Sequence, residues 1–183
     1  MGDLGIGECA GEVITAVEFD LAVAEREVDF AVHSLKDVPS DLADNLIIAS
    51  IPKREKVNDV FISSDGSSLD KIKPGSVIGT SSLRRAVQVT RQRSDVTVKP
   101  IRGNIETRIK KISGETFDAV VLAQAGISRL GVDVNFTLLS TDDFSPSPGQ
   151  GAIAIVARTD DSQTIEMLKK IEDADSRLEI EAE

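Results

Sequence analysis

Two short runs combine a turn, small polar side chains and guanidiniums. Gly79-Thr80-Ser81-Ser82-Leu83-Arg84-Arg85 and Arg102-Gly103-Asn104-Ile105-Glu106-Thr107-Arg108 each stand where an apolar run gives way to a helical pattern. In the first, Thr80, Ser81 and Ser82 and the free amides of a helix start favour an anion, and Arg84 and Arg85 can grip carboxylate or phosphate oxygens in a fork. The Gly-Lys-Ser/Thr ending of a nucleotide P-loop is missing, so small acids fit better than ATP. The second run repeats the arrangement at the next strand-to-helix corner. In a parallel sheet these corners share one edge, so Arg84, Arg85, Arg102 and Arg108 are expected to converge on one pocket, with Arg129 joining from the corner after the next strand. The competing readings are a capped, solvated helix start and, for Arg129, a surface arginine.

Lys36-Asp37 is weighed separately. Such a pair on an exposed loop is usually an inert contact. If its loop faces a cleft, Asp37 is the one obvious acid or base near the arginines, and its carboxylate can stabilise a cation formed during reaction. His33, the single histidine, points away from Val32 on its strand and is expected to be hydrogen-bonded and structural. Cys9 is the single cysteine and reads as an inert thiol; one cysteine excludes an internal disulfide and fits a reducing, cytoplasmic location. No metal site is expected.

The elements that position these residues follow from pattern. Thr15 and Glu18 match a capping box that opens a helix to about Glu27. Val28–Ser34, in which Val28, Phe30 and Val32 alternate, reads as a strand ending before the 35–39 loop, which Pro39 stops. Further strands are expected at Leu46–Ser50, Asp59–Ser63, Ser76–Gly79, Val96–Ile101, Asp118–Ala123 and Ala152–Arg158. Helices are expected at Leu83–Arg93, at Asn104–Ile112 with Gly114 just past its end, at Gly126–Leu130 and Ser162–Glu172, with another starting at Ser176. Apolar strands separated by helices indicate right-handed βαβ units, a mostly parallel sheet and an α/β class. The charged stretch at 52–58 and the Pro- and Gly-rich loop at 142–151 read as two crossings. They make 58–146 a lobe inserted into another formed by 1–52 and 152–172, with a ligand cleft between them. The last helix is in register at Glu183, and its acidic end opposes the helix dipole, so 173–183 reads as the start of a truncated further domain.

The 183 residues carry 21 basic and 31 acidic side chains, a net charge of −10, with 40% apolar content, six Phe, no Trp and no Tyr. That composition excludes disorder, and the apolar runs are too short for a membrane helix, so no membrane partner is expected. Residues 1–83 hold 7 basic and 15 acidic groups, 84–111 hold 9 and 2, and 112–183 hold 5 and 14. The basic window is a local anion-binding surface or a solvated helix face. It contains no aromatic residue, and the acidic remainder repels a long phosphate backbone, so a compact polyanion fits better than nucleic acid.

HSLKDVPS at 33–40, GTSSLRR at 79–85, RGNIETR at 102–108, DAVVLAQAGISRLG at 118–131 and PGQGA at 148–152, in this order, closely resemble the porphobilinogen deaminase (hydroxymethylbilane synthase) family. The resemblance runs through about residues 17–180. It implies two lobes of the periplasmic-binding-protein type (type II), a third C-terminal domain, and a usually monomeric transferase of tetrapyrrole and haem biosynthesis. The reaction joins four porphobilinogen units head to tail with loss of ammonia, on a dipyrromethane cofactor held by a cysteine. By resemblance Asp37 is the catalytic carboxylate; Arg84, Arg85, Arg102, Arg108 and Arg129 bind the acetate and propionate groups; and Ser34, Lys36, Thr80, Ser81 and Ser82 add contacts. Residues 1–15 match the family poorly, its N-terminal strand and third domain are missing, and Cys9 does not stand where the Gly-Gly-Cys segment carries the cofactor. The expectation is therefore little turnover and no covalent primer, with self-association open. The alternative from another class is a two-lobed dicarboxylate-binding module without chemistry.

Overall fold

The computed structural model describes residues 15–39, 41–113 and 116–183. Cys9 and the expected helix stop at Gly114 lie outside the described residues. In chain order the elements are α1 (Ala16–Ala24), β1 (Phe30–Ser34), β2 (Leu46–Ser50), β3 (Asp59–Ser63), β4 (Val77–Gly79), α2 (Leu83–Gln92), β5 (Thr97–Lys99), α3 (Ile105–Lys110), β6 (Ala119–Ala123), α4 (Gln124–Leu130), β7 (Thr137–Leu138), β8 (Ile153–Arg158), α5 (Ser162–Leu168) and α6 (Ala174–Ala182). Caps set several starts. Thr15 and Glu18 form the expected capping box, and Ser82 and Asn104 accept from the amides of Arg85 and Thr107. A 3-10 turn at Leu35–Asp37 and the short β7 were not foreseen.

The strands form two sheets, β1-β8-β2 and β5-β4-β6-β3-β7. The expectation of a mostly parallel sheet is corrected. β4 pairs in parallel with β5 and β6, but β3 is antiparallel to β6 and β7, and both ladders of the three-stranded sheet are antiparallel. The register gives the reason. Ser34, last in β1, pairs with Ile153, first in β8, and Ala123, last in β6, pairs with Asp59, first in β3. Strands that deliver loops to the cleft end there, whereas the strand carrying the chain in from each crossing starts there and runs the other way.

β3 sends Val60 and Ile62 to one face and Phe61 to the other, each into its own buried cluster, because side chains alternate across a strand. Helices and loops thus cover both faces of the five-stranded sheet, which is why its strands read as continuous apolar runs. On β1 the inward residues are Ala31 and His33, while Phe30 and Val32 are 38% and 56% exposed. The alternation expected on that strand is real, but its apolar face is the outer one. Ala31 is small enough for α1 to lay Val23 against it, and His33 Nε2 is satisfied by Asp20 Oδ1 at 2.8 Å.

The two crossings are bound to each other. Glu55 N–H donates to Gly151 O at 3.0 Å. Gly151 has φ +85°, and a Cβ there would stand 2.4 Å from Glu55 O, so this position requires glycine. α6 starts at Ala174 rather than Ser176, under an Asp173 cap. Its acidic end, unfavourable in isolation, meets Arg54 of the first crossing: the guanidinium lies 2.7 Å from Glu183 and 3.3 Å from Glu179.

Candidate active site in the cleft between the sheets

The loops at the carboxyl ends of β1, β4, β5 and β6 and the 149–152 segment before β8 enclose a cavity of about 190 Å³. That is smaller than the roughly 300–1,000 Å³ of drug-sized sites, and suits one small molecule. Ser34, Lys36 and Asp37 line it from the three-stranded side; Arg85, Arg108 and Arg129 line it from the five-stranded side. Ile105, Ala125 and Gly126 supply an apolar wall.

Beside the cavity lies a buried charge cluster, two members of which, Arg85 and Gln150, also line it. Asp59 is fully buried; its Oδ1 accepts from Arg85 Nε at 3.1 Å, Arg85 Nη2 at 2.8 Å and Gln150 Nε2 at 2.9 Å. Its Oδ2 lies 2.9 Å from Arg84 Nη2. Arg84, expected to share the pocket, stands beside it and is not among the lining residues; it donates to the Ser145 carbonyl and to Gln150 Oε1. Arg108 Nε donates to Gly103 O at 2.6 Å, and Arg129 donates to Gly151 O. Each cation is thus held in place by the protein before any ligand arrives, which limits the entropy lost on binding.

The other predicted residues are placed differently. Ser81 Oγ donates to Ile101 O at 2.7 Å and accepts from Ile101 N–H; Thr80 is buried, and its hydroxyl accepts from Ser82 N–H. All three hydroxyls thus hold the corner between β4 and α2, and none lines the cavity. Arg102 is exposed and outside the lining, its carbonyl taken by Lys111 Nζ. The basic window is therefore not one surface: Arg85 turns inward to Asp59, and Arg93 to Asp95 and the carbonyls of Leu69 and Ile72.

Asp37 sits on the 3-10 turn, and among the described residues no hydrogen bond or ion pair holds its carboxylate. The Lys36 side chain is solvent-accessible yet flanked by the cleft walls. Desolvation there pulls its ammonium below the usual lysine range; Arg85 and Arg84 act in the same direction, and Asp37 and Asp59 oppose them. Sequence reasoning missed Asp59 and Gln150. An acidic residue opening the apolar run Asp59–Ser63, and an amide between two glycines at 149–151, were the available signals.

Comparison with known proteins agrees with the motifs. A family model described as "Porphobilinogen deaminase, dipyromethane cofactor binding domain" matches residues 6–166, so the match reaches into the N-terminal residues that were expected to fit poorly. A probable porphobilinogen deaminase of Nitrosopumilus maritimus is 84% identical over 166 residues, covering 91% of this chain and 53% of that protein. A porphobilinogen deaminase of Listeria innocua is 46% identical over 186 residues, covering 99% of this chain and 60% of that protein. The chain therefore spans between half and two thirds of these relatives' length. Among solved structures, the second substrate-binding domain of a putative amino acid ABC transporter from Streptococcus pneumoniae superposes with a TM-score of 0.51 at 14% identity, covering 88% of this chain and 73% of that one. A YaeC-family lipoprotein from Enterococcus faecalis gives 0.51 at 16% identity, covering 87% and 77%. At these identities the likeness shows the fold alone, an α/β fold like that of periplasmic binding proteins. By its family model and its relatives, this chain belongs to the porphobilinogen deaminase family.

Proposed function

We propose that the cleft binds porphobilinogen through its acetate and propionate groups and that Asp37 is the acid/base group of the family reaction. The observation that carries this reading is one small cavity lined by Asp37 on one side and by Arg85, Arg108 and Arg129 on the other. Guanidiniums held by internal acceptors present fixed donors to a carboxylate. A carboxyl group without internal partners is free, in its acid form, to protonate a departing amine, and as the carboxylate so formed to stabilise the methylene-pyrrole cation and accept the proton lost after coupling. In this proposal the two sheets are the two lobes, 1–52 with 152–172 and 58–146, and 173–183 leads out of them.

The dipyrromethane cofactor of the family is tested by the same residues. Lys36, Arg85, Arg108 and Arg129 fit its carboxylates, and when bound it supplies the pyrrole onto which the next unit is joined. Its covalent attachment needs a cysteine in the cleft, and no described residue is one. Calorimetric titration with porphobilinogen is expected to give saturable one-to-one binding, whereas an oligonucleotide gives none at physiological salt. Intact mass after incubation is expected to be unchanged. Absence of porphobilinogen binding would overturn the assignment, and a mass gain of two pyrroles would contradict the expectation for the cofactor.

A further inference from the structure

Gln150 belongs to the second crossing and is 1% exposed, yet its side chain ends among the charges of the five-stranded half. Its amide oxygen accepts from Arg84 Nη2 at 3.2 Å and Arg85 Nη2 at 3.4 Å. Its amide nitrogen donates to Asp59 Oδ1 at 2.9 Å and to the Val57 carbonyl, on the first crossing, at 2.5 Å. Only this orientation gives each atom partners of the right polarity: turned over, the amide nitrogen would face two guanidiniums and the oxygen a carboxylate and a carbonyl.

The two guanidiniums it touches differ. Arg85 is 7% exposed and anchored through Nε and Nη2 on Asp59, with Nη1 directed at the Val121 carbonyl. The Arg84 side chain is 25% exposed, and although Asp59 Oδ2 lies 2.9 Å away, that oxygen has no aligned hydrogen bond. The aligned bonds of Arg84 go to Gln150 Oε1 and the Ser145 carbonyl. Asp59 thus supplies charge to Arg84, while Gln150 supplies direction.

We infer that Gln150 is a positioning residue: it holds the Arg84 guanidinium beside the cleft in the orientation that receives a ligand carboxylate, and it ties that orientation to the pairing of the crossings. This rests on the carboxylate-binding reading above. Replacing Gln150 by Met keeps the length of the side chain and removes all four hydrogen bonds.

The test has a ligand-free arm and a ligand arm. In the chain labelled with ¹⁵N-arginine, the Arg84 Nη signals are expected to be separately resolved, reporting slow rotation, and to merge in Gln150→Met. In titrations, Gln150→Met is expected to weaken porphobilinogen binding about tenfold, the loss of one charged hydrogen bond's worth of alignment. In an Arg84→Met background the same change is expected to cost clearly less, because the guanidinium it chiefly acts through is gone and its contact with Arg85 is the longer one. Should the Met variant fail to fold, Gln150→Asn keeps an amide on the crossing but withdraws it from Arg84, and is expected to behave the same way. Arg84 signals that stay resolved in the variant, or an equal loss of affinity with and without Arg84, would overturn the inference. If the wild-type chain binds no porphobilinogen, the functional reading fails, and the ligand-free arm alone decides whether Gln150 orients Arg84.

Discussion

The two sides of the cleft hold their charged groups in opposite ways. On the five-stranded side Arg84 and Arg85 converge on the buried Asp59, and Arg108 and Arg129 lean on backbone carbonyls. On the three-stranded side Lys36 and Asp37 project from a single 3-10 turn, and no described residue hydrogen-bonds the Asp37 carboxylate. Groups that recognise a fixed set of carboxylates gain from being held rigidly, since their ordering cost is met on folding. A group that must change protonation gains from having no internal partner that fixes one state.

The largest effect should come from removing the charge that organises the rigid side. Asp59→Asn leaves two largely buried guanidiniums without a counter-charge, and breaking such a pair costs about 3–5 kcal/mol. Its nearest counterpart in the other half is the buried Asp20–His33 contact at 2.8 Å; an Asn at position 20 can still accept from the imidazole, so the loss there should be about 1 kcal/mol. Urea denaturation of the two variants measures the contrast, and equal losses would break it.

The junction of the halves comes next. Gly151→Ala places a Cβ 2.4 Å from Glu55 O at a φ of +85°, a strain of order 1–3 kcal/mol. It should separate the crossings, lower the melting temperature and weaken ligand binding, because Arg129 and Gln150 both depend on this segment. Melting and titration of one sample check both effects.

A smaller effect sharpens the comparison on the three-stranded side. Lys36 is held below the usual lysine range by desolvation, so between that lowered value and the ordinary 10.5 the free protein carries it partly neutral. A bound carboxylate favours the charged form and raises its pKa, so binding in that alkaline window should take up protons. Calorimetry in buffers of different ionisation enthalpy measures this uptake, and Lys36→Met should abolish it. The same desolvation opposes folding while Lys36 is protonated, and this penalty is relieved as pH rises through the window.

What the sequence disclosed and what it concealed divide along physical lines. Period and caps are local, so Leu46–Ser50 and Asp59–Ser63 were placed to the residue, and Thr15 was identified as a cap. Strand direction is not local. Only pairing shows that β3 and β8 start at the cleft, and so the parallel sheet was an over-reading. Among the site residues, Asp37, Arg85, Arg108 and Arg129 share the cavity, whereas the hydroxyls of the 79–85 run serve the local corner, a use that residue type alone cannot distinguish from ligand binding. Asp59 and Gln150 were missed because their importance comes from partners far along the chain, 26 and 66 residues away for the bonds to Arg85 and Arg84 respectively.

The most direct test of the account is the affinity for porphobilinogen of Asp37→Asn beside that of Arg129→Met, each titrated at the same pH and salt. Division of labour across the cleft predicts that Asp37→Asn binds as well as the wild-type chain or somewhat more tightly, having lost a negative charge, while Arg129→Met binds about tenfold more weakly or worse. Weakened binding by Asp37→Asn with Arg129→Met unchanged would contradict it.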